Sequence, residues 1–400
     1  MTKKTYRDKP YYDSTGVGSL GTIAKMLDVR LEVLQSLCSD QEKHYHSFEL
    51  VTNSGNKNKT RQIHEPKHLL KKVQKRINSR IFTNVKFPPY LQGGIKDEDN
   101  PRDYYANALA HINPQFVLSL DISNFYDNIK IEHVVKVFQQ LCHFSPQVAE
   151  LLAKLVTYND TVPQGAVTSS YIANLVFFEN EYKIVSRLRQ QGFIYTRLLD
   201  DVAISAKKKI TQDKKERIIK DVAKMATKSG VCINDKKTRF ATKNTKDGLM
   251  EVTGLWVNHK QPKCLKKERQ KVRTSVFQCE QEYKKNSTSE KFHKLWNRAS
   301  GRVAKICRVG HPQAAKLRAR LDKILPTYND TEIKKMQIDL AGLKRVSASK
   351  RNHYGYIKRV NKLIYMCGIL SRTHKKLAKS MRDTAKGLKP ISTYEEFWEV

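Results

Sequence analysis

Three aspartates have the sequence surroundings of a metal-binding carboxylate cluster. Asp121 ends an apolar run of strand length, FVLSLDISNFY (116–126), and Asp200 and Asp201 lie between two β-rich runs, FIYTRLLDDVAISA (193–206). If strand and hairpin share one sheet, the carboxylates cluster, which is costly without a cation. Such a cluster suits two Mg²⁺ ions, which activate a hydroxyl and stabilise a leaving pyrophosphate. An Asp-Asp pair alone is usually a solvated turn, so the prediction depends on neighbouring segments.

The segments around these aspartates predict an α+β domain. A Pro-Gln-Gly turn opens residues 162–188, where apolar residues recur at helical spacing. After the hairpin come a helix of mixed charge (211–230), closed by Gly230, and a strand-like VCIN (231–234). The order strand, helix, hairpin, helix, strand indicates an antiparallel sheet with helices on one face.

The net charge indicates a polyanionic partner. The 400-residue chain has 75 Lys and Arg against 39 Asp and Glu, a net charge of +36. Solubility needs only about 2–8 charges on a small domain, so nucleic-acid binding is favoured. Residues 261–400 supply +22 of the total, with 34 basic and 12 acidic residues. A basic membrane-surface protein is the rival class, but we find no amphipathic anchor, lipidation signal or membrane-spanning run.

The cysteines and the N-terminus predict a cytoplasmic location. Seven cysteines are scattered singly without zinc-knuckle spacing, which suits buried or free thiols in a reducing compartment. The sequence MTKKTYRDKPYYDSTG at the N-terminus has no apolar signal-peptide core. We therefore expect no membrane partner.

Six segments carry a family resemblance. They are KTRQIHEPKHLLKKVQKRI (59–77), NALAH (107–111), LSLDISNFYDNI (118–129), VPQGAVTSSYIAN (162–174), YTRLLDDVAIS (195–205) and VTGLWVN (252–258). Together they resemble reverse transcriptases, and the second and last segments resemble the bacterial retron branch most closely. The resemblance implies a right-hand polymerase fold: fingers in residues 1–105, a palm with an antiparallel sheet in 106–260, and a basic helical thumb with a C-terminal extension in 261–400.

The resemblance also implies catalytic roles. Asp121 and Asp200 would bind both metals, Mg²⁺ or Mn²⁺, assisted by Asp201 and the carbonyl of Ile122. Tyr126 would lie beneath the incoming sugar, where its ring would crowd a 2′-hydroxyl and select deoxynucleotides. The alternative for Tyr126 is a core tyrosine.

Further residues are implied to contact the nucleotide. Gln164 would contact the nucleotide or template from its turn, and Gly165 would let the backbone approach closely. Arg61, with Lys57 or Lys59, would bind the triphosphate from the fingers, although a solvated loop is the alternative for the two lysines.

One lysine and one departure from the family pattern concern the catalytic centre itself. In INDKKTRF (233–240), Lys236 or Lys237 would neutralise or protonate the pyrophosphate. The family usually has Tyr-Ala before the Asp pair, where this chain has Leu198-Leu199. That change puts primer grip or fidelity in doubt, but not metal binding.

The retron-like elements are implied to contact RNA. Asn107 and His111 are four residues apart and share a helix face. For His111, an RNA contact and a brace between fingers and palm are both open. Val252, Thr253 and Gly254 are expected to recognise the cognate RNA where palm meets thumb. The alternative for this element is a junction strand with an incidental glycine.

The function implied by the resemblance is RNA-directed DNA synthesis. A retron enzyme uses dNTPs to copy part of a cognate structured non-coding RNA into a covalently linked RNA–DNA hybrid, the msDNA. It acts with an effector protein encoded nearby in anti-phage defence. The alternatives are an intron-encoded or abortive-infection reverse transcriptase, and a catalytically idle RNA-binding protein on the same fold.

Overall fold

The computed structural model describes residues 8–54, 57–244 and 248–388, without the side chains of residues 52–54 and 57–59. The chain divides into two compact units, residues 1–262 and 263–400.

The described part of the first unit combines strands and helices. Its strands are β1 (Tyr11–Tyr12), β2 (Tyr45–Ser54), β3 (Lys57–Pro66), β4 (Val85–Lys86), β5 (Leu91–Gln92), β6 (Phe116–Ser123), β7 (Phe193–Leu198), β8 (Asp201–Ala206), β9 (Cys232–Ile233), β10 (Arg239–Thr242), β11 (Glu251–Val252) and β12 (Leu255–Trp256). Its α-helices are α1 (Leu20–Leu27), α2 (Leu31–Ser39), α3 (Gln41–His44), α4 (His68–Arg80), α5 (Tyr104–Ala110), α6 (Phe125–Asn128), α7 (Ile131–Lys136), α8 (Pro146–Val156), α9 (Ser169–Leu175), α10 (Glu181–Gln190) and α11 (Gln212–Lys228). Short 3₁₀ turns span Phe82–Asn84 and Asp235–Lys237, and a π-helical turn spans Val137–Leu141.

The main sheet of the first unit has the strand order β10-β6-β8-β7-β5, and β9 pairs with the end of β6. β6 runs antiparallel to both β8 and β10, and β7 and β8 form an antiparallel hairpin. β5 joins the edge in parallel with β7. The predicted α+β class and the predicted hairpin are confirmed.

Helix α11 forms where the sequence predicted a helix, and its apolar stripe and its two ends show why. Ile218, Val222 and Met225 form its buried stripe against the core. Thr211 caps its first turn by accepting a hydrogen bond from a main-chain N–H, and Gly230 follows its end at a φ of +71°.

The predicted helix across residues 162–188 is wrong in one respect, because it is interrupted. α9 ends at Leu175 and α10 begins at Glu181. The carbonyls of Ala173 and Asn174 accept hydrogen bonds from the Arg197 side chain. A long-range contact thus satisfies carbonyls near the end of α9, which local spacing could not reveal.

The described part of the second unit is almost entirely helical. It contains β13 (Lys263–Cys264), α12 (Lys266–Lys285), α13 (Glu290–Arg308), α14 (Ala314–Asp322), α15 (Asp330–Lys344), a 3₁₀ turn (Ala348–Lys350), α16 (Tyr354–Leu370) and α17 (Lys375–Gly387). Helices α15, α16 and α17 enclose an apolar cluster that includes Met336, Val360 and Leu370. In the described ranges of both units, every helix is too short or too polar to cross a bilayer.

Candidate active site

Asp121 and Asp201 lie directly opposite each other on the antiparallel strands β6 and β8. Residues opposite each other in such a pair project from the same face of the sheet. Asp200 occupies the turn just before β8, and its carbonyl accepts a hydrogen bond from the N–H of Ile122 at 3.0 Å. The structure therefore gathers the three aspartates at one end of the sheet. In the described residues, however, no three His, Cys, Asp or Glu side chains already converge as a metal site.

The two adjacent aspartates hold their protons more tightly than free carboxyls do. Desolvation by the surrounding strands and the charge of Asp121 raise the pKa of Asp200. Desolvation, followed by the charges of Asp200 and Asp121, raises the pKa of Asp201 to about 6. This accumulation of negative charge on hard oxygen atoms is the chemistry that fits divalent cations.

A lysine side chain lies against this cluster. The Nζ of Lys237 is 2.8 Å and 2.7 Å from the two carboxylate oxygens of Asp121. The main chain beside it is tied to β6, since the N–H of Asn234 donates to the carbonyl of Asp121 at 2.7 Å. Lys236 and Lys237 are both exposed, so the contact with Asp121 is what distinguishes them. Of the two lysines left open by the sequence, Lys237 is the one that reaches the carboxylates.

The charge of Asp200 acts on the pKa of Tyr126, and the charge of Arg61 acts on the pKa of both groups. Burial and the charge of Asp200 raise the pKa of Tyr126 to about 12, and the nearby positive charges of Arg197 and Arg61 oppose that shift. Tyr126 is half-buried, with its ring centroid 5.9 Å from that of Phe125. Arg61 is exposed on β3. The side chains of Lys57 and Lys59, on the same strand, lie outside the described residues.

The Pro-Gln-Gly turn is docked on strand β3. The carbonyl of Gln164 accepts a hydrogen bond from the N–H of His64 at 2.8 Å. Gly165 has a φ of +114°, and a Cβ added there would lie only 2.8 Å from a methyl group of Ile63. The close approach expected at Gly165 is thus to the protein's own strand, and a larger residue would separate the turn from it.

Asn107 and His111 lie inside the first unit. His111 is fully buried, and its Nδ1 and Nε2 are each 2.7 Å from a hydroxyl, those of Ser205 on β8 and Thr196 on β7. Burial lowers the pKa of His111 to about 3, so the ring is neutral. The sequence left two roles open for His111, an RNA contact and a brace between fingers and palm. The buried position favours a brace, and the contacts show that it joins the end of α5 to β7 and β8. Asn107 is also fully buried, and its amide atoms have no hydrogen-bond partner within the described residues.

The Val-Thr-Gly element forms a hairpin turn. Val252 is buried and pairs with Leu255, and Thr253 and Gly254 both have positive φ, at +47° and +77°. Two successive positive φ values are typical of a two-residue hairpin turn, so the conformation of the turn explains why residue 254 is a glycine. The Thr253 hydroxyl donates to the carbonyl of Tyr104 at 2.7 Å, which ties the turn to the start of α5.

A cavity of about 690 Å³ extends along the first unit from the carboxylates to this turn. Asp121, Asp201 and Lys237 line one part of it, and Thr253 and Gly254 line another. The catalytic candidates and the Val-Thr-Gly turn therefore border one continuous space.

Comparison with known proteins identifies the family. Residues 51–287 match the family described as reverse transcriptase (RNA-dependent DNA polymerase). The chain is 38% identical over 389 residues to the Retron Se72 reverse transcriptase of Salmonella heidelberg (strain 579083-10), covering 96% of this chain and 99% of that protein. It is 30% identical to the Retron Ec48 reverse transcriptase of Escherichia coli, covering 96% of each. The chain belongs to the retron reverse transcriptases.

This retron reverse transcriptase is therefore an RNA-directed DNA polymerase with the right-hand polymerase fold, as the sequence resemblance implied. Among solved structures, a Candida albicans telomerase in complex with a telomeric RNA fragment is similar at a TM-score of 0.40 and 11% identity, covering 90% of this chain and 71% of that chain.

One candidate functional residue of this retron reverse transcriptase was not found from the sequence. Arg197 lies on β7, three residues before Asp200, and is fully buried. The available signal was an arginine in the apolar run FIYTRLL, which needs a buried partner. That partner, Glu181, is 16 residues away and could not be identified from spacing.

Proposed function

We propose that this retron reverse transcriptase synthesises DNA with two divalent metal ions, Mg²⁺ or Mn²⁺, bound by Asp121, Asp200 and Asp201. The observation that carries the proposal is the register of β6 and β8, which sets Asp121 opposite Asp201 beside Asp200. The carbonyl of Ile122 is a further oxygen ligand in this proposal. When bound, such ions activate the primer hydroxyl and stabilise the leaving pyrophosphate.

The surrounding residues bind and orient the nucleotide in this proposal. Arg61, with Lys59, binds the triphosphate from strand β3, and Gln164 and Gly165 form the turn against which the nucleotide and template lie. The half-buried ring of Tyr126 lies under the sugar and excludes a 2′-hydroxyl. These roles are supported by the electrostatic interactions of Tyr126 with Asp200 and with Arg61.

Pyrophosphate release involves Lys237 rather than Lys236 in this proposal. A lysine ammonium in contact with Asp121 is close enough to neutralise or protonate a leaving group formed beside the metals. Lys236 serves as the natural comparison, because it is adjacent in sequence and, like Lys237, exposed.

We further infer that the RNA substrate is a cognate structured non-coding RNA, part of which is copied into msDNA. The Val252–Gly254 turn borders the same cavity as the carboxylates, which supports a contact with RNA there. Residues 261–400 are the thumb and extension in this proposal, and their +22 charge supports binding of an RNA duplex by its phosphates. Fingers and palm correspond to residues 1–105 and 106–260.

The biological role in this proposal is anti-phage defence in the bacterial cytoplasm with an effector protein. It rests on membership of the retron reverse transcriptases. The seven cysteines are all free, as suits a reducing compartment.

The test is extraction of nucleic acid from the protein expressed with its native locus. A branched, partly RNase-sensitive species that contains DNA should co-purify with the wild type. Asp200→Asn should retain the RNA but yield no DNA. Recovery of random cellular RNA alone would reject the retron product, and DNA made on unrelated templates would favour an intron-encoded or abortive-infection enzyme. Bound RNA without DNA synthesis by the wild type would favour the idle RNA-binding protein.

A further inference from the structure

A fully buried ion pair lies directly behind the Asp200–Asp201 turn. Arg197 and Glu181 are 0% and 1% exposed in their side chains. The guanidinium binds the carboxylate through two bonds, Nε to Oε1 at 2.6 Å and Nη2 to Oε2 at 2.9 Å. Such a pair is stable only if its remaining hydrogen-bonding groups are also satisfied.

The other donors of Arg197 bind main-chain carbonyls from two separate segments. Nη1 donates to the carbonyls of Ala173 and Leu199, each at 3.0 Å, and Nη2 donates to that of Asn174 at 2.9 Å. With the two bonds to the carboxylate, these use all five N–H groups of the guanidinium. The guanidinium carbon also lies 5.0 Å from the ring centroid of Phe177.

The carbonyl of Leu199 is part of a backbone that requires support. Leu199 has a φ of +57°, in the left-handed region that is unfavourable for a leucine. Such conformations persist when surrounding contacts hold them in place. Here Arg197 holds the carbonyl of Leu199, and the N–H of Ile122, next to Asp121, holds the carbonyl of Asp200. Two consecutive carbonyls of the turn are thus each held by a hydrogen bond, one from β7 and one from β6.

We propose that Arg197 is a positioning residue for DNA synthesis, which holds the left-handed turn at Leu199 and thereby aims Asp200 and Asp201. It also fastens this turn to α9, the helix that follows the Gln164 turn. This inference rests on the proposed metal-binding role of the aspartates.

The competing explanation is that Arg197 only neutralises Glu181 and stabilises the fold. A double variant, Arg197→Met with Glu181→Met, separates the two, because it removes both charges and leaves neither buried alone. The Tyr195 hydroxyl donates to Glu181 at 2.8 Å, so Tyr195→Phe is introduced into both this variant and its reference protein. A second variant, Arg197→Lys, keeps the positive charge but lacks the planar five-donor fork.

A rescue variant makes the test specific for the turn. Adding Leu199→Gly to the double variant supplies a residue that adopts positive φ without steric cost. Arg76→Met is the matched control, since Arg76 is also buried and donates to the carbonyls of Leu27 and Asp28, outside the proposed site.

The measurements are the melting temperature, RNA affinity, kcat and KM for dNTPs, and Mn²⁺ binding by electron paramagnetic resonance. We expect folded double and Arg197→Lys variants with unchanged RNA affinity, kcat lowered about 100-fold and little change in KM. Mn²⁺ should bind more weakly, and Leu199→Gly should restore part of kcat and of Mn²⁺ binding. Arg76→Met should lower the melting temperature while kcat of the folded protein is retained.

Wild-type kcat and Mn²⁺ affinity in either folded Arg197 variant would overturn the proposal, and so would a loss that Leu199→Gly does not relieve. If the double variant does not fold, the kcat and Mn²⁺ affinity of Arg197→Lys decide. A wild type that makes no metal-dependent DNA would instead reject the proposed function, which distinguishes the two failures.

Discussion

The Nζ of Lys237 contacts both carboxylate oxygens of Asp121, at 2.8 Å and 2.7 Å. A cation in this position balances part of the charge that the three aspartates bring together. In the proposed reaction, Lys237 would supply the proton or counter-charge that a leaving pyrophosphate needs.

We expect Lys237→Met to lower kcat for DNA synthesis by about 100-fold, the low end of the usual contribution of a general acid. Lys236→Met is the matched control and should retain nearly full activity, because both lysines are exposed but Lys237 is the one that contacts Asp121. Single-turnover incorporation with excess enzyme measures the chemical step for both variants. Equal rates for the two would remove Lys237 from the reaction.

A second prediction concerns the pH dependence of stability and follows from His111. Its folded pKa, lowered by burial to about 3, lies below the value of about 6.5 for a free histidine, so the unfolded state binds the proton more tightly. The stabilisation is therefore complete above pH 6.5 and is lost as the pH falls towards 3. Between pH 6.5 and pH 3, each unit by which the pH falls should lower the free energy of unfolding by about 1.4 kcal/mol, because the unfolded state gains a proton on His111.

Urea denaturation at pH 5 and pH 7 checks this prediction by comparing the wild type with His111→Gln. The variant should be less stable at pH 7 and show a smaller decrease towards pH 5, while its RNA affinity stays that of the wild type. A variant with normal stability and weakened RNA binding would show that His111 contacts RNA and is not a brace.

Sugar selection provides a third prediction. Replacing Tyr126 with alanine removes the ring proposed to crowd a 2′-hydroxyl, so ribonucleotide use relative to deoxynucleotide use should rise by about 10-fold or more, a change of about 1.4 kcal/mol in discrimination. Incorporation of dGTP and GTP in parallel measures the ratio, and Phe125→Leu controls for loss of core packing, since Phe125 is buried beside Tyr126. An unchanged ratio would mean that Tyr126 is only a packing residue.

A fourth prediction concerns the basic helices of residues 263–400. Lys375, Lys376 and Lys379 are exposed on α17. If they contact RNA phosphates, changing all three to glutamine should flatten the log–log salt dependence of RNA binding by about 0.7–0.9 per lost contact. The matched control changes three exposed lysines of α11: Lys220, Lys224 and Lys228. Equal slopes for both triple variants would argue against a specific phosphate-binding surface on α17.

The elements around the aspartates could be predicted because their signals are local. An apolar run ending at Asp121 and two β-rich runs around Asp200 are readable from alternation and turn residues alone, and β6, β7 and β8 form there. Gly230 likewise marked the end of α11 correctly.

Long-range contacts explain what the sequence left open or missed. Where the predicted helix is interrupted, Arg197 binds the carbonyls of Ala173 and Asn174, which lie 24 and 23 residues away, and local spacing does not identify these partners. Adjacent Lys236 and Lys237 are equivalent in spacing, and only the 3₁₀ turn that contains them decides which one faces Asp121. For His111, the hydroxyl partners lie on strands more than 80 residues later in the chain.

Asp121, Asp200 and Asp201 are proposed to bind the ions that drive RNA-directed DNA synthesis. The most direct measurement is extension of DNA on the RNA template by Asp121→Asn and Asp200→Asn, at protein concentrations that give equal RNA occupancy, with Mg²⁺, with Mn²⁺ and with a chelator. The wild type should extend only with a divalent ion, and both variants should bind RNA normally yet make no DNA with either ion. Synthesis by either asparagine variant at the wild-type rate, or by the wild type in chelator, would contradict the account.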